Sequence, residues 1–194
     1  MILGGFHYQV LRTSADRQYV VCTELLRRFP EDRGRVFIPK WENYRRDTKS
    51  MERKAMFTGY IFVHTDLKRI ELYEYIKEFA RPVRQRLLKG DPDVDLWTEK
   101  ENYVYDMTED EEAFFDTVLD HEGIERMSRG YVEPGSDGKP HAVVMEGPLA
   151  KYGNRIIRLD KRNWLAWLDM KIGTQPVMAG LHIEPKEVWF PDTA

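Results

Sequence analysis

Residues 56–64 place the strongest constraint on the fold. Their sequence, MFTGYIFVH, is the most β-prone stretch of the chain, because aromatic and β-branched side chains occupy most of its positions. Strict alternation along one strand places Tyr60 and Phe62 on one face and Phe57 on the other. In a sheet with its helices on one side, the uncovered face is expected either to bind a partner helix or to belong to the core.

Strand and helix patterns alternate through the first half of the chain. Strands are predicted at residues 6–12, 35–39, 56–64 and 83–88. A helix capped by Thr13 or Ser14 is expected after the first strand, and a second helix over residues 70–79. The apolar face of the first helix is predicted to hold Tyr19, Cys22, Leu26 and Phe29. This β-α-β-β-α-β order predicts a ferredoxin-like unit, an antiparallel sheet with two helices on one face.

The second half of the chain has a different pattern. Residues 108–119 predict a third helix, in which Thr108 and Glu111 form a capping box. Residues 120–140 contain several glycines and prolines, which indicates a domain boundary at about residue 121. Short β-prone segments follow at residues 130–132, 141–145, 155–159, 164–170 and 177–183. Such a series of short strands is typical of a small SH3-like barrel, so an α+β protein with domains at residues 1–121 and 122–194 is expected.

Composition limits the class of protein. The 194 residues include a single cysteine, Cys22, which excludes an internal disulfide framework and a multi-cysteine metal site. No segment approaches the roughly 18 consecutive apolar residues of a membrane-spanning helix, and the N-terminal residues lack an export pattern. These features predict a reduced, cytoplasmic protein that is not bound to a membrane.

Charge is distributed unevenly along the sequence. Residues 1–90 hold 19 basic and 11 acidic residues, whereas residues 91–127, which begin with an acidic insert at 91–106, hold 2 and 14. A basic first half favours a polyanionic partner, although an acidic segment folded against it would screen the charge. The basic stretch at residues 45–54 predicts either a salt-sensitive phosphate contact or a solvated loop.

The sequence offers no positive case for catalysis. The five histidines are scattered along the chain and form no metal-ligand spacing. His64 with Asp66 is the nearest approach to a site and is read as a surface pair at a strand end. Cys22 lies on the apolar face of the first predicted helix and is read as a small core residue. No cofactor and no metal site are therefore predicted.

Two segments together resemble the NusG family of transcription elongation factors. Residues 35–63 contain RVFIPKWE and ERKAMFTGYIFV, which are similar to the strand, basic linker and F-x-G-Y strand of the family's N-terminal NGN domain. Residues 146–160 contain EGPLAKY and RIIRLD, which resemble a KOW motif, and residues 164–187 resemble the remaining strands of its barrel. The resemblance covers nearly the whole chain and is nearest to the specialised LoaP and RfaH branch.

The resemblance implies a non-enzymatic regulator. Such a protein binds RNA polymerase and suppresses pausing or termination at specific operons. The implied architecture is a ferredoxin-like NGN domain over residues 1–121, followed by an SH3-like KOW barrel within residues 122–194. A monomer is expected.

The resemblance also implies which residues contact partners. In this family, the open face of the NGN sheet binds the clamp helices of the polymerase β′ subunit. The matching positions are Phe6, Val10, Phe57, Tyr60 and Phe62. Arg12, Arg53 and Lys54 match positions near the non-template DNA strand. Lys151, Arg155, Lys161 and Arg162 match an edge for nascent RNA, and Tyr152 aligns with an apolar residue that contacts the ribosomal protein NusE in housekeeping members.

Two alternatives from other classes stay open. An RNA-binding KOW module of ribosomal type predicts tight RNA binding by residues 122–194 and no polymerase contact. An enzyme with a cryptic site predicts that purified protein retains a small molecule or a metal.

Overall fold

The protein is a mixed α+β chain that divides into two compact units. The computed structural model describes residues 5–45, 47–77, 104–135, 138 and 140–190. Unit one comprises residues 1–38 and 57–112, and unit two comprises residues 39–56 and 113–194. The division differs from the predicted boundary at residue 121, because unit two begins earlier and also includes residues 39–56.

The elements are numbered along the chain. The strands are β1 (His7–Arg12), β2 (Gly34–Phe37), β3 (Lys40–Arg45), β4 (Ser50–Ala55), β5 (Tyr60–Thr65), β6 (Val104–Asp106), β7 (Ile124–Glu125), β8 (Ser128–Pro134), β9 (Pro140–Glu146), β10 (Ile156–Asp160), β11 (Leu165–Ile172) and β12 (Gln175–Ile183). The helices are α1 (Gln18–Leu26), α2 (helical residues 69–77) and α3 (Glu109–Val118). Short 3-10 segments lie at Glu31–Arg33, Pro148–Arg155 and Lys186–Val188.

Unit one is built on a four-stranded antiparallel sheet of order β2-β5-β1-β6. Strands β1, β2 and β5 overlap the predicted segments. The fourth strand in this sheet, β6, comes from the end of the acidic insert, where no strand was predicted. The strand predicted at residues 83–88 lies outside the described residues.

Helix α1 buries a different face from the one predicted. It begins at Gln18 instead of directly after Thr13, and its N-cap Arg17 makes no side-chain capping bond. Val21, Cys22 and Leu25 are buried with Gln18, whereas the predicted core residues Tyr19 and Leu26 are exposed. The prediction is confirmed for Cys22 and Phe29, which are buried, and is wrong for Tyr19 and Leu26.

The hydrogen bonds of Gln18 explain the orientation of α1. Its amide nitrogen donates to the carbonyl oxygens of Phe57 and Tyr60 at 2.7 and 2.6 Å, and its amide oxygen accepts the N–H of Gly59 at 3.1 Å. Buried backbone groups are costly to leave unpaired. These three bonds therefore fix the rotation of the helix, a constraint that hydrophobic periodicity does not report.

A turn at residues 56–59 shortens the strand predicted at 56–64. Gly59 has φ of 76°, and a Cβ atom there would lie 2.5 Å from the carbonyl oxygen of Thr13. The turn interrupts strand alternation, so the ring of Phe57 lies 6.2 Å from that of Tyr60 and 5.6 Å from that of Phe62. The prediction that Phe57 faces away from these two rings is wrong.

Unit two holds a five-stranded sheet of order β10-β11-β12-β8-β9, which curls into half a barrel. Strands β8 and β12 are parallel, and the other neighbours are antiparallel. All five strands overlap predicted segments. A second sheet, of order β4-β3-β7, contains the β3–β4 hairpin with β7 parallel to β3.

The β3–β4 hairpin meets the curled sheet at Gly180. A Cβ atom at this position would lie 2.6 Å from the carbonyl oxygen of Glu42 in β3. The N–H of Gly180 donates to Oε2 of Glu125 in β7 at 3.0 Å. The carboxylate of Glu42 accepts hydrogen bonds from Nη1 of Arg126 at 2.9 Å and from the N–H of Met127 at 3.1 Å. We call Glu42, Glu125, Arg126 and Gly180 the hairpin seat.

Helix α3 begins at the predicted capping box. The N–H of Thr108 donates to Oε2 of Glu111 at 2.7 Å, and the N–H of Glu111 donates to Oγ1 of Thr108 at 3.4 Å. Phe114, Phe115 and Val118 are buried. The prediction for this helix is confirmed, because the capping bonds and the apolar face depend only on residues within one segment.

We expect Gly180→Ala to destabilise unit two by about 1–3 kcal/mol, because the new methyl group would overlap the Glu42 carbonyl oxygen. Urea unfolding followed by tryptophan fluorescence measures this, since four of the five tryptophans lie in unit two. Gly153→Ala is the matched control, because a Cβ atom there meets Val144 at an ordinary 3.5 Å. Equal stability of the two variants would contradict the close approach at Gly180.

Candidate partner and nucleic-acid surfaces

One face of the sheet in unit one is lined by aromatic rings. Strand pairing places Val10 and Phe37 on either side of Phe62, and Tyr8 beside His64. The ring of Phe62 lies 6.2 Å from Phe37 and 5.6 Å from Phe57, and the rings of Tyr8 and His64 stack at 4.3 Å. The residues predicted to bind polymerase are therefore brought together on one face, which we call the aromatic face.

The centre of the aromatic face is buried. Val10, Phe57 and Phe62 are fully inaccessible to solvent, and Tyr60 is 4% exposed. The expectation that these four residues form an exposed apolar patch is wrong. Phe6 differs from them, because it is 51% exposed and lies at the rim with its ring 5.5 Å from His64.

Packing within unit one accounts for this burial. Phe37 of β2 and Phe57 of the turn at residues 56–59 pack against Phe62, and Tyr105 of β6 meets Tyr60 edge to face at 6.3 Å. Glu112 accepts the N–H of Tyr8 through Oε1 at 2.6 Å. A face predicted to be open is therefore buried at its centre, where aromatic pairs add to the free energy of burial.

His64 belongs to this aromatic face. Its ring stacks on Tyr8, while Asp66 accepts a hydrogen bond from Nε of Arg33 at 2.8 Å. Asp66 is thus engaged by an arginine, and His64 serves as one of the rings at the rim.

Stability should separate the centre of the aromatic face from its rim. We expect Phe62→Ala to cost about 3–5 kcal/mol of unfolding free energy, because it empties a fully buried ring position. Phe6→Ala should change the unfolding free energy by less than about 0.5 kcal/mol, because the side chain is half exposed. Urea unfolding followed by circular dichroism measures both variants. A loss of similar size in the two would contradict the assignment of centre and rim.

The cations predicted to contact DNA fall in different units. Arg12 ends β1 in unit one and is exposed. Arg53 and Lys54 lie on β4 of the hairpin, in unit two, and are also exposed. Nη2 of Arg53 is 3.9 Å from Oε2 of Glu122, so this arginine is partly compensated by a carboxylate.

The residues predicted to contact RNA surround β10. Lys151 and Arg155 precede the strand, and Nη2 of Arg155 donates to the carbonyl oxygen of Asp169 at 3.0 Å. Lys161 and Arg162 follow the strand in the β10–β11 turn and are exposed. Asp160 fixes this turn by accepting the N–H groups of Arg162 and Asn163 through Oδ1 at 3.0 and 3.1 Å.

Tyr152, the predicted partner contact in the KOW segment, is half-buried. Its hydroxyl donates to the carbonyl oxygen of Ala113 at 3.2 Å, and its ring meets that of Phe114 edge to face at 4.9 Å. Both contacts lie within unit two, so part of this side chain is already used to pack against helix α3.

A cleft of about 340 Å³ opens between the hairpin and the β10–β11 turn. It lies within unit two and is lined by Asn43, Tyr44, Arg45, Asp47, Lys54, Arg162 and Asn163. The cleft brings together Lys54, which was predicted to contact DNA, and Arg162, which was predicted to contact RNA.

Beside this cleft, three aromatic rings stack in a column that the sequence did not predict. Trp164 lies 4.0 Å from Tyr44 and 3.7 Å from His182, with interplanar angles of 13° and 32°. Two rings with centroids within 4.0 Å of the same ring would overlap if they lay on one side of it, so Trp164 lies between Tyr44 and His182. Burial lowers the pKa of His182, and the charge of Arg129 lowers it further against the opposite effect of Glu184.

Trp164 is in the left-handed region, with φ of 54°. This conformation is costly for a bulky residue and persists where surrounding contacts hold it. Two stacked rings and the N–H of Leu181, which donates to the Trp164 carbonyl oxygen at 2.9 Å, supply those contacts. In the sequence, the turn that positions Trp164 is indicated by Asp160 and Asn163, because such residues are typical of tight turns.

Glu125 is the buried carboxyl group of the hairpin seat. It is fully inaccessible to solvent, and within the described residues its Oε1 atom has no hydrogen-bond partner. Burial raises the pKa of Glu125 well above its ordinary value, and the nearby Glu42 raises it further, whereas the N–H of Gly180 has the opposite effect. The folded state therefore retains this proton at pH values where the unfolded chain has lost it.

We expect Glu125→Gln to reduce the loss of stability at high pH. Because the folded pKa is raised, the contribution of Glu125 is complete below the unfolded pKa and is lost as pH rises towards the folded pKa. The unfolding free energy of the native protein should therefore fall relative to that of the variant as the pH rises above the ordinary pKa of a glutamate. Urea titrations at several pH values measure the difference. Glu187→Gln, which removes an exposed carboxylate from the same unit, is the control, and parallel curves for native protein and Glu125→Gln would contradict the prediction.

No family model matches this chain, and no curated protein matches its sequence. Among residues 5–45, 47–77, 104–135, 138 and 140–190, no group of three or more His, Cys, Asp and Glu side chains is placed to hold a metal ion. Over the same part of the chain, no helix combines the length and the apolar character needed to cross a membrane.

Proposed function

We propose that this protein is a NusG-like regulator of transcription, which binds RNA polymerase and suppresses pausing or termination at specific operons. The observation that carries the proposal is the succession of two sheet types along one chain. The sheet of unit one has the strand order and directions of a split βαβ unit, and the five-stranded sheet of unit two follows it. An NGN domain followed by a KOW domain requires this succession.

The rim of the aromatic face is the proposed polymerase contact. Its centre is unavailable to a partner because Phe62 and its neighbours are buried. Phe6 is half exposed, and its neighbour His64 in the ring cluster is partly exposed, as is Phe37. The binding energy of an interface is concentrated in a few anchoring side chains, and an exposed aromatic ring beside a rigid aromatic core is suited to that role.

The mechanism is stabilisation by binding. A regulator that binds the elongating state of polymerase more tightly than the paused state shifts the population by that difference in affinity. Cations on the hairpin and around β10 would place positive charge beside the nucleic acids of the complex, in which every phosphate carries a negative charge. The proposed partners are therefore the β′ clamp helices of RNA polymerase, together with non-template DNA or nascent RNA.

Retention of polymerase by the full chain tests the proposal. We expect immobilised native protein to retain RNA polymerase, and Phe6→Ala to weaken binding by about tenfold or more, because one aromatic anchor is lost. Ile70→Ala is the matched control, since it removes a 73% exposed apolar side chain from helix α2 of the same unit.

Three results would count against the proposal. No retention of polymerase by the native chain would reject it. Equal retention by native protein and Phe6→Ala would reject the rim as the contact. Retention of ribosomal RNA without polymerase would favour the alternative, an RNA-binding module of ribosomal type.

A further inference from the structure

We propose that the cleft between the hairpin and the β10–β11 turn binds a phosphate group of a single-stranded polynucleotide, which Lys54 and Arg162 hold jointly. The inference rests on the proposed function, because it names the ligand of cations that were assigned there to nucleic acid only in general terms. It adds that one site, assembled from two distant segments, holds a single phosphodiester.

The basic residues that line the cleft differ in whether a carboxylate neutralises them. Arg45 is bound by both Asp47 and Glu52, so its charge is compensated within the hairpin. Within the described part of the chain, neither Lys54 nor Arg162 has a carboxylate oxygen within 4.0 Å. Two uncompensated cations therefore border a cleft whose carboxylate, Asp47, is already occupied by Arg45.

The two cations are placed on rigid supports. Lys54 is on β4, directly opposite Trp41 of β3, and Trp41 is buried. Arg162 is in a turn fixed by Asp160, whose Oδ2 also accepts a hydrogen bond from Nδ2 of Asn163 at 2.7 Å. A backbone that is held in place before binding loses less conformational freedom when a ligand arrives. An arginine fork and a lysine ammonium are both suited to phosphate oxygens.

The surroundings favour a polynucleotide over a free anion. Residues 39–56 hold six basic and three acidic residues, and residues 151–162 hold five and one, so both walls of the cleft continue into basic sequence. Tyr44 lines the cleft and is also the first ring of the column that contains Trp164 and His182. A positively charged groove with aromatic rings beside it is the combination by which proteins bind single-stranded nucleic acid.

Oligonucleotide binding by the full chain tests the site without polymerase. The probes are fluorescein-labelled oligouridylate and oligothymidylate of about 12 nucleotides, followed by fluorescence anisotropy at about 50 and about 200 mM salt. Lys54→Gln and Arg162→Gln should each weaken binding by about tenfold, because each removes a charge-assisted hydrogen bond to phosphate. Because the two cations share one phosphate, the slope of log affinity against log salt should fall by about 0.7 in total when both are replaced.

The double variant tests whether the two cations share one phosphate. Losses from side chains that act on one group are not additive, so Lys54→Gln with Arg162→Gln should weaken binding by clearly less than the product of the single effects. Lys171→Gln, an exposed lysine on β11 outside the cleft, is the matched control for charge alone and should leave binding within about twofold of native. The RNA and DNA probes distinguish the two sources of the phosphodiester, and a dependence on both cations with either probe supports the site.

Several outcomes overturn the proposal. These are native affinity in both single variants, an equal loss in Lys171→Gln, fully multiplicative losses in the double variant, or no binding of either probe by the native chain. Retention of polymerase in the last case would leave the proposed function in place while rejecting the cleft. Binding of the probes through Lys54 and Arg162 without retention of polymerase would support the cleft and reject the proposed function.

Discussion

The close approach of the hairpin to Gly180 is the contact that joins the two sheets of unit two. A glycine is needed there because the Glu42 carbonyl oxygen lies where a side chain would begin. The same glycine donates its N–H to the buried Glu125, and Glu42 binds Arg126 and Met127, so backbone and side-chain contacts converge on one point. The cleft with Lys54 and Arg162, and the stacking of Tyr44 on Trp164, exist only while the hairpin is held in this position.

Elements determined by neighbouring residues could be predicted from the sequence. The capping box of α3 and the five strands of the curled sheet are of this kind, because their signals lie within single segments. Helix α1 is different, since its rotation is set by Gln18 and the carbonyl groups of a turn some forty residues away. The predicted orientation of Phe57 was wrong for a related reason. The turn at Gly59 interrupts the strand, so side chains do not alternate between faces there.

For the candidate surfaces, the sequence predicted which residues lie together but not which of them are exposed. Val10, Phe57, Tyr60 and Phe62 do come together, but neighbouring rings and β6 enclose them, and the sequence contained no strand signal at β6. The resemblance assigned both Lys54 and Arg162 to nucleic acid, but Lys54 to non-template DNA and Arg162 to nascent RNA. The cleft unites them through a long-range contact between the hairpin and a later turn, and such contacts have no local signature in one sequence.

Unit two is formed from two separate segments of the chain, and this affects how it folds during translation. The hairpin is synthesised before β12, the strand that carries its glycine partner, and more than a hundred residues separate Glu42 from Gly180. At a translation rate of about 5–20 residues per second, Gly180 and Trp164 are synthesised on the order of ten seconds after Glu42 and Tyr44. During translation the hairpin of the nascent chain therefore lacks the strand against which it packs, and unit two can complete its fold only after β12 has been synthesised.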